Sequence, residues 1–202
     1  MTEWSAEAAI AGCPVLPWSG SAWRCHGRKY AGDDAAGSLL VTGRYHRGKD
    51  TFNEAETWPA LYTALAIHVA LGERLRHTTP ESLQRIKTQR FSELEISLQR
   101  VLNLCAADGC ATHGLRNTGD ADLCHPIDYT KGHQIAALAR DLVEAIIVPS
   151  CTGFPEGNLI IFPDRLDPAS TIRVVQTIDP NLSIDWREYE SAEKSTPTPS
   201  PS

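Results

Sequence analysis

Hydrophobic and polar positions change period several times along the chain, and each change predicts an element. Leu39 to His46 (LLVTGRYH) is apolar and β-branched, which predicts a short strand running into a Gly-rich loop with Arg44 near its end. Trp58 to Tyr62 predicts a second short strand. From Ile67 to His77 the apolar Val69, Leu71 and Leu75 fall mostly on one helical side, so a helix is expected there. Gly72 weakens that helix modestly and, beside Glu73, either leaves room for another backbone or a ligand to approach or is simply tolerated for packing. Pro80 to Gln89 reads as a second short helix, and Leu94 to Leu104 alternates as a strand does. Thr130 is placed to cap a helix reaching about Glu144, with Ile135, Leu138, Ala139 and Leu142 at helical spacing. Ala145 to Ser150 (AIIVPS) is apolar on both faces, the mark of a buried central strand, here ending at Ser150. Asn158 to Phe162, Thr171 to Ile178 and Ile184 to Tyr189 supply further strands. The class is α+β, a mixed sheet or pair of sheets with helices packed against it.

The two ends read differently. Residues 1–20 are rich in Ala, Gly, Pro and Ser and predict an irregular arm that packs Trp4 or Trp18 onto the body. Residues 191–202 (SAEKSTPTPSPS) hold almost nothing apolar and predict a disordered tail, leaving one domain over 21–190. A chain of 202 residues is long enough to bury one core without covalent staples. No apolar run approaches the ~20 residues of a membrane helix. The start, MTEWSAEAAIAGCP, lacks the basic and apolar stretches of a secretory signal, so the expected location is the cytoplasm. The six cysteines are accordingly expected to be thiols. A formal charge of -6 gives no footprint for nucleic acid. An acidic protein that binds an anionic ligand must gather a few arginines at one place, which directs attention to Arg24, Arg28, Arg44 and Arg47.

The segment GRYHRG at Gly43–Gly48, followed by PALYTALAIHVALGERLRH at Pro59–His77, resembles the opening half of a RES domain. That family has an arginine in a Gly-Arg-aromatic segment, then a strand of the form ALY, then a helix bearing a glutamate, matched in turn by Arg44, Tyr62 and Glu73. AIIVPSCTGFPEGNLIIF at Ala145–Phe162 resembles the closing half, with Ser150 as the family's serine. The resemblance covers roughly residues 22–178. Tyr45-His46 stands where Trp-Asn is commoner, and a Cys- and His-containing stretch between His77 and Ser150 is not a family feature. The resemblance implies an ADP-ribosyltransferase-like fold with NAD held in a cleft between two small sheets. It also implies a toxin of a bacterial toxin-antitoxin pair, neutralised by a helix-turn-helix antitoxin.

The chemistry of NAD explains why such residues would be needed. Its leaving group is already a pyridinium cation, so cleavage from ribose needs no proton, only a fixed anion near the developing positive charge and a firm hold on the rest. On this reading Glu73 supplies the charge or grips a ribose hydroxyl, and Arg44 pairs with the pyrophosphate through its planar fork. Arg24 and Arg47 are second phosphate contacts, Tyr62 stacks on nicotinamide, and Asn158 either binds ligand or starts its strand. Ser150 is expected to hydrogen-bond the substrate, since no GxSxG elbow surrounds it to make a nucleophile. The plain alternative for Glu73 is a surface glutamate pairing with Arg76 or His77 one turn on.

A rival reading uses Cys105, Cys110, His113, Cys124 and His125 as zinc ligands. Their C-x4-C-x2-H spacing is looser than a paired CxxC pattern, so no metal is expected. The acceptor of ADP-ribose (water, phosphate or a protein) is left open by the sequence. A non-catalytic module that keeps the cleft to hold a nucleotide or a protein is the alternative function.

Overall fold

A computed structural model describes residues 5–76, 88–105, 123–125, 127–152 and 154–179. In chain order the elements are α1 (Ala6–Ile10), β1 (Val15–Gly27), β2 (Leu61–Ala64), α2 (Ile67–Arg76), β3 (Gln89–Asn103), α3 (Thr130–Arg140), β4 (Ala145–Val148), β5 (Asn158–Ile161) and β6 (Thr171–Ile178). The predicted helix over 80–89, the strand over 184–189 and the tail fall wholly or mostly outside the described residues.

The six strands of the described residues belong to one sheet, in the order β1-β2-β5-β4-β3-β6, and β1 also pairs with β3. The second contact curls the sheet into a ring instead of the two small sheets expected. β3 makes this possible by its length. It pairs antiparallel with β1 from Gln89 to Leu102 along one edge, while on the other it meets β6 over Phe91–Ser97 and then β4, in parallel, over Val101–Asn103. β1 and β2 meet only at Trp23 and Ala64.

Both faces of β4 and β5 are covered, which is why these strands read as unbroken apolar runs. Ala145, Ile147, Leu159 and Ile161 point into the ring with Leu94, Ile96 and Leu98 of β3. Ile146, Val148, Ile160 and Phe162 point the other way, onto Ile135, Ala136 and Ala139 of α3. Removing any one of the large, fully buried members to Ala would cost about 2–5 kcal/mol, the usual range for a core truncation.

Within the irregular arm expected over 1–20, Ala6–Ile10 is a helix and β1 starts at Val15. Ser5 caps α1 by accepting from the Ala8 amide, and Ala6 and Ala9 join the core that α3 covers. β1 begins at Val15, so Trp18 does pack on the body, against the ring interior; Trp4 lies outside the described residues. Small residues hid this strand, because Ser19, Gly20, Ser21 and Ala22 show little hydrophobic alternation although each pairs with β3. The strand expected over 39–46 is absent: Ala36–Leu39 is a 3-10 turn, and Gly43 and His46 form an isolated two-residue bridge. α3 is capped not by Thr130 but one position earlier at Tyr129, with Asp128 Oδ1 accepting from the Thr130 amide.

One buried carboxylate ties three segments together. Glu144 is fully inaccessible, and its Oε2 accepts from the amides of Gln99 and Arg100 while Oε1 accepts from the Asp167 amide and the Ser170 hydroxyl. Burial works to raise its pKa, but the bonds from Ser170, Asp167, Arg100 and Gln99 outweigh it and hold the group below the usual value. Glu144→Gln replaces two accepting lone pairs with donors that face other donors. It should cost about 2–3 kcal/mol, as loss of charged buried hydrogen bonds does. Because the folded pKa is depressed, that stability is present above the ordinary glutamate value and lost as pH falls through the folded one. Urea unfolding of both proteins at pH 7 and pH 4 checks this, and an unchanged midpoint at pH 7 would refute it.

Candidate active site

The cleft opens beside the single β1–β2 contact, with a volume of about 380 Å³. Trp23 and Cys25 of β1, Arg44 and Tyr45 of the turn after Gly43, Tyr62 of β2, Glu73 and Arg74 of α2, Tyr129 and Asn158 are among the residues that line it.

Glu73 is the best-anchored group. Its Oε1 accepts from the Ser150 hydroxyl at 2.7 Å, the Cys151 amide at 2.9 Å and the Asn158 amide nitrogen at 2.9 Å. Among the described residues no hydrogen bond reaches Oε2. One oxygen is thus fixed by the ends of β4 and β5 while the group borders the cleft, which is how a preorganised anion is built. Arg76 turns to the Cys124 carbonyl at 2.8 Å instead of to Glu73, and His77, the other surface partner expected, lies outside the described residues. Gly72 permits the arrangement. A Cβ there would lie 3.0 Å from Thr152 Cγ2 and 3.2 Å from Phe154 Cε2, so the loop after Ser150 rests directly on α2.

Ser150 is buried, and its hydroxyl donates to Glu73 while sharing bonds with Thr152. Its proton is committed to orienting the carboxylate. Asn158 likewise reaches Glu73 with its amide, so it positions the site as well as starting β5.

Arg44 occupies a corner of the tight turn closed by reciprocal bonds between Gly43 and His46. A Cβ on Gly43 would stand 2.3 Å from His46 Cε1, and one on Gly132 of α3 would stand 2.3 Å from the Arg44 carbonyl oxygen. Both positions must be glycine for the turn to press against α3. The Arg44 guanidinium then donates to the His125 carbonyl at 3.1 Å and approaches Cys151 Sγ at 2.6 Å, above the Tyr129 ring at 5.5 Å. Its Nε is buried without a partner.

Tyr62 and His46 lock this turn. The Tyr62 oxygen accepts from the Tyr45 amide at 2.8 Å and sits 2.9 Å from His46 Nδ1, while His46 Nε2 lies 2.7 Å from the Val41 carbonyl. One tautomer satisfies every group: Nε2–H donates to Val41, Nδ1 accepts from the Tyr62 hydroxyl, and that oxygen accepts from Tyr45. Burial drives Tyr62 well above the ordinary phenol value and lowers His46, so both are neutral near pH 7. His46, the departure from the commoner Asn, therefore has a structural partner in Tyr62.

Two expected phosphate contacts are elsewhere. Arg24 alternates with Trp23 and Cys25 along β1 and so points away from the cleft, donating to the Gly32 carbonyl at 2.9 Å. Arg47 stacks on Phe52 and Trp58, 4.8 and 5.0 Å from their centroids. Arg28 pairs with Asp179 at the surface. The cation that sequence reasoning missed is Arg74, one residue past Glu73 on α2; only the geometry of the ring turns it toward the cleft. Trp23 was missed with it. Cys25, also in the cleft, has its pKa pushed up to about 11 by burial and remains a thiol.

The expectation of six thiols is overturned: Cys124 and Cys151 are joined in a disulfide, with Cα atoms 5.2 Å apart, and Cys13 is also disulfide-bonded. A disulfide sulfur is no thiolate ligand, so the zinc reading loses Cys124. Cys110 and His113 lie outside the described residues, and among the described ones no three metal-binding side chains cluster.

The fold is α+β with an ADP-ribosyltransferase-like core, a curled mixed sheet flanked by helices, and Arg44 and the anchored Glu73 both line its cleft. The RES domain family model matches residues 21–187, and the chain belongs to that family. Seven chains of solved structures match. One is from the crystal structure of the M. tuberculosis MbcT-MbcA toxin-antitoxin complex, with a TM-score of 0.61 and 15% identity over 94% of this chain and 96% of that one. At that identity the likeness is one of fold. A sequence comparison with curated proteins gives no match. Among the described residues no helix is long and apolar enough to cross a membrane.

Burial lowers the pKa of His26, His46 and His133 below the histidine value of 6.5. The unfolded chain then binds more protons than the folded one, so stability is full above about pH 6.5 and falls as pH drops below it. Urea unfolding from pH 8 to pH 5 should show this slope, and His46→Gln should make it shallower. An identical slope in the variant would mean that His46 binds its proton equally well in the folded and unfolded chains.

Proposed function

We propose that this protein cleaves the nicotinamide–ribose bond of NAD and passes ADP-ribose to water, phosphate or a protein acceptor. The observation that carries the reading is Glu73, with one carboxylate oxygen held by Ser150, Cys151 and Asn158 and the group facing a cleft that also contains Arg44. As nicotinamide departs with the bonding pair it becomes neutral, and the ribose carbon left behind gains positive character. A carboxylate already fixed in place stabilises that charge without reorganising. The acceptor's oxygen then forms the new bond and loses its proton to solvent.

Arg44 and Arg74, which both line the cleft, supply two cations for the two charges of the pyrophosphate. Tyr62 and Trp23 offer aromatic faces to the rings at the ends of the dinucleotide. Arg24 and Arg47, engaged with Gly32 and with Phe52 and Trp58, have no part in this binding. Ser150 orients Glu73 and is not a nucleophile. We further propose that the protein acts in the cytoplasm as the toxin of a toxin-antitoxin pair, with a helix-turn-helix antitoxin as partner. Family membership and the fold shared with a chain of the MbcT-MbcA complex support that role.

Free nicotinamide released from NAD, with ADP-ribose or its phosphorylated form identified alongside, is the direct test. Glu73→Gln should lower kcat by about 100-fold or more, as loss of one preorganised charge does, with the fold intact. Arg74→Ala should raise KM for NAD about tenfold and spare kcat, the signature of a lost binding contact. NAD bound but never cleaved, with or without phosphate or candidate proteins, would turn the reading to the non-catalytic module. Growth arrest on induction, relieved by co-expressing a neighbouring helix-turn-helix protein, tests the biological role.

A further inference from the structure

We propose that Cys124 and Cys151 form a reversible thiol–disulfide site beside the cleft, open to a low-molecular-weight thiol, whose oxidation state sets how firmly the cleft grips its dinucleotide. The inference builds on the NAD reading and concerns a bond that reading does not use.

The two cysteines are 27 residues apart in sequence, Cys124 in the segment before α3 and Cys151 in the turn after β4. Cys151 follows Ser150, and its amide donates to Glu73 at 2.9 Å. The carbonyl of Cys124 receives Arg76 of α2 at 2.8 Å, and that of the next residue, His125, receives Arg44 at 3.1 Å. Tyr129, a few residues further on, lies under the Arg44 guanidinium and lines the cleft. The disulfide thus bolts the segment that holds Arg44 to the segment that holds Glu73. Both cysteines are half-buried, within reach of a small thiol.

Arg44 also gives the exchange a direction. Its Nη1 lies 2.6 Å from Cys151 Sγ, so a thiolate leaving at Cys151 would be born beside a guanidinium. An incoming thiolate therefore attacks Cys124 Sγ: the new sulfur–sulfur bond forms there, the Cys124–Cys151 bond breaks, and its electron pair departs on Cys151. A second molecule of the small thiol attacks the mixed disulfide and releases Cys124. Two electrons have passed to the protein, and two small thiols have become one disulfide. In the reduced state the Cys151 thiolate pairs with Arg44 and competes with a pyrophosphate for it, and the segment carrying His125 and Tyr129 loses its covalent tie. Both changes weaken binding of the dinucleotide.

Protein purified without reductant, alkylated and digested, should yield a peptide pair cross-linked through Cys124 and Cys151; its absence overturns the site. Reduction with dithiothreitol should raise KM for NAD about fivefold and leave kcat within about twofold, the pattern of lost ground-state binding. Cys124→Ser should show the raised KM before any reductant and no further response. A response retained in that variant would assign the effect to the disulfide of Cys13 and refute the proposal, as would equal KM in both states. Calorimetry with ADP-ribose separates the two readings: equal affinity in both states sinks the redox site alone, whereas binding in neither state sinks the dinucleotide reading.

Discussion

A single carboxylate oxygen organises the cleft. Glu73 Oε1 collects donors from the end of β4 and the start of β5, so α2 cannot turn or slide without breaking a charge-assisted bond. The other features follow from keeping that oxygen satisfied. Ser150 must end its strand with a hydroxyl, Asn158 must open the next with an amide, and Gly72 must let their connecting loop lie flat on the helix. The same contacts leave the second oxygen without a hydrogen bond among the described residues, on a side chain that lines the cleft.

Arg44 is held by a different logic. No strand carries it; a tight turn does, pressed onto α3 through Gly132 and fastened from within by the Tyr62–His46 chain. His133 on α3 adds a contact of 2.8 Å to the Gly43 carbonyl, with Phe52, Trp58 and Tyr129 packed edge-on around its ring. An irregular backbone can present a charge reproducibly only when its polar groups are all accounted for, and this one spends two neutral histidines and a buried phenol doing so.

Much of the scaffold was legible in the sequence where burial imposes a period. β6 matches its predicted span, β4 and β5 show as apolar runs because both faces are covered, and α2 and α3 show the helical repeat. β1 was not legible, since its pairing depends on the partner strand β3 and its own middle is small and polar. The grouping of Arg44, Glu73 and Ser150 came from resemblance alone; no local pattern reveals that a helix glutamate and a strand-end serine 77 residues apart share a hydrogen bond. Arg24, Arg47 and Arg74 show the limit most clearly. Their charges are identical, and what separates them is the pleat of β1, an aromatic stack and the rotation of α2, none of which is written in residue type. The disulfide was missed because composition argues about compartments, whereas proximity is a property of the folded chain.

The ring of strands has one weak seam. β1 joins β3 along nearly its whole length but touches β2 at a single pair, Trp23 and Ala64, and both residues border the cleft. Every other junction round the ring is laced by three or more residue pairs, so this is its thinnest join. Its two residues belong to a third apolar cluster, with Val69 and Phe91, separate from the cores on either side of β4 and β5, so the thinnest join of the ring carries none of the packing that holds those two cores together.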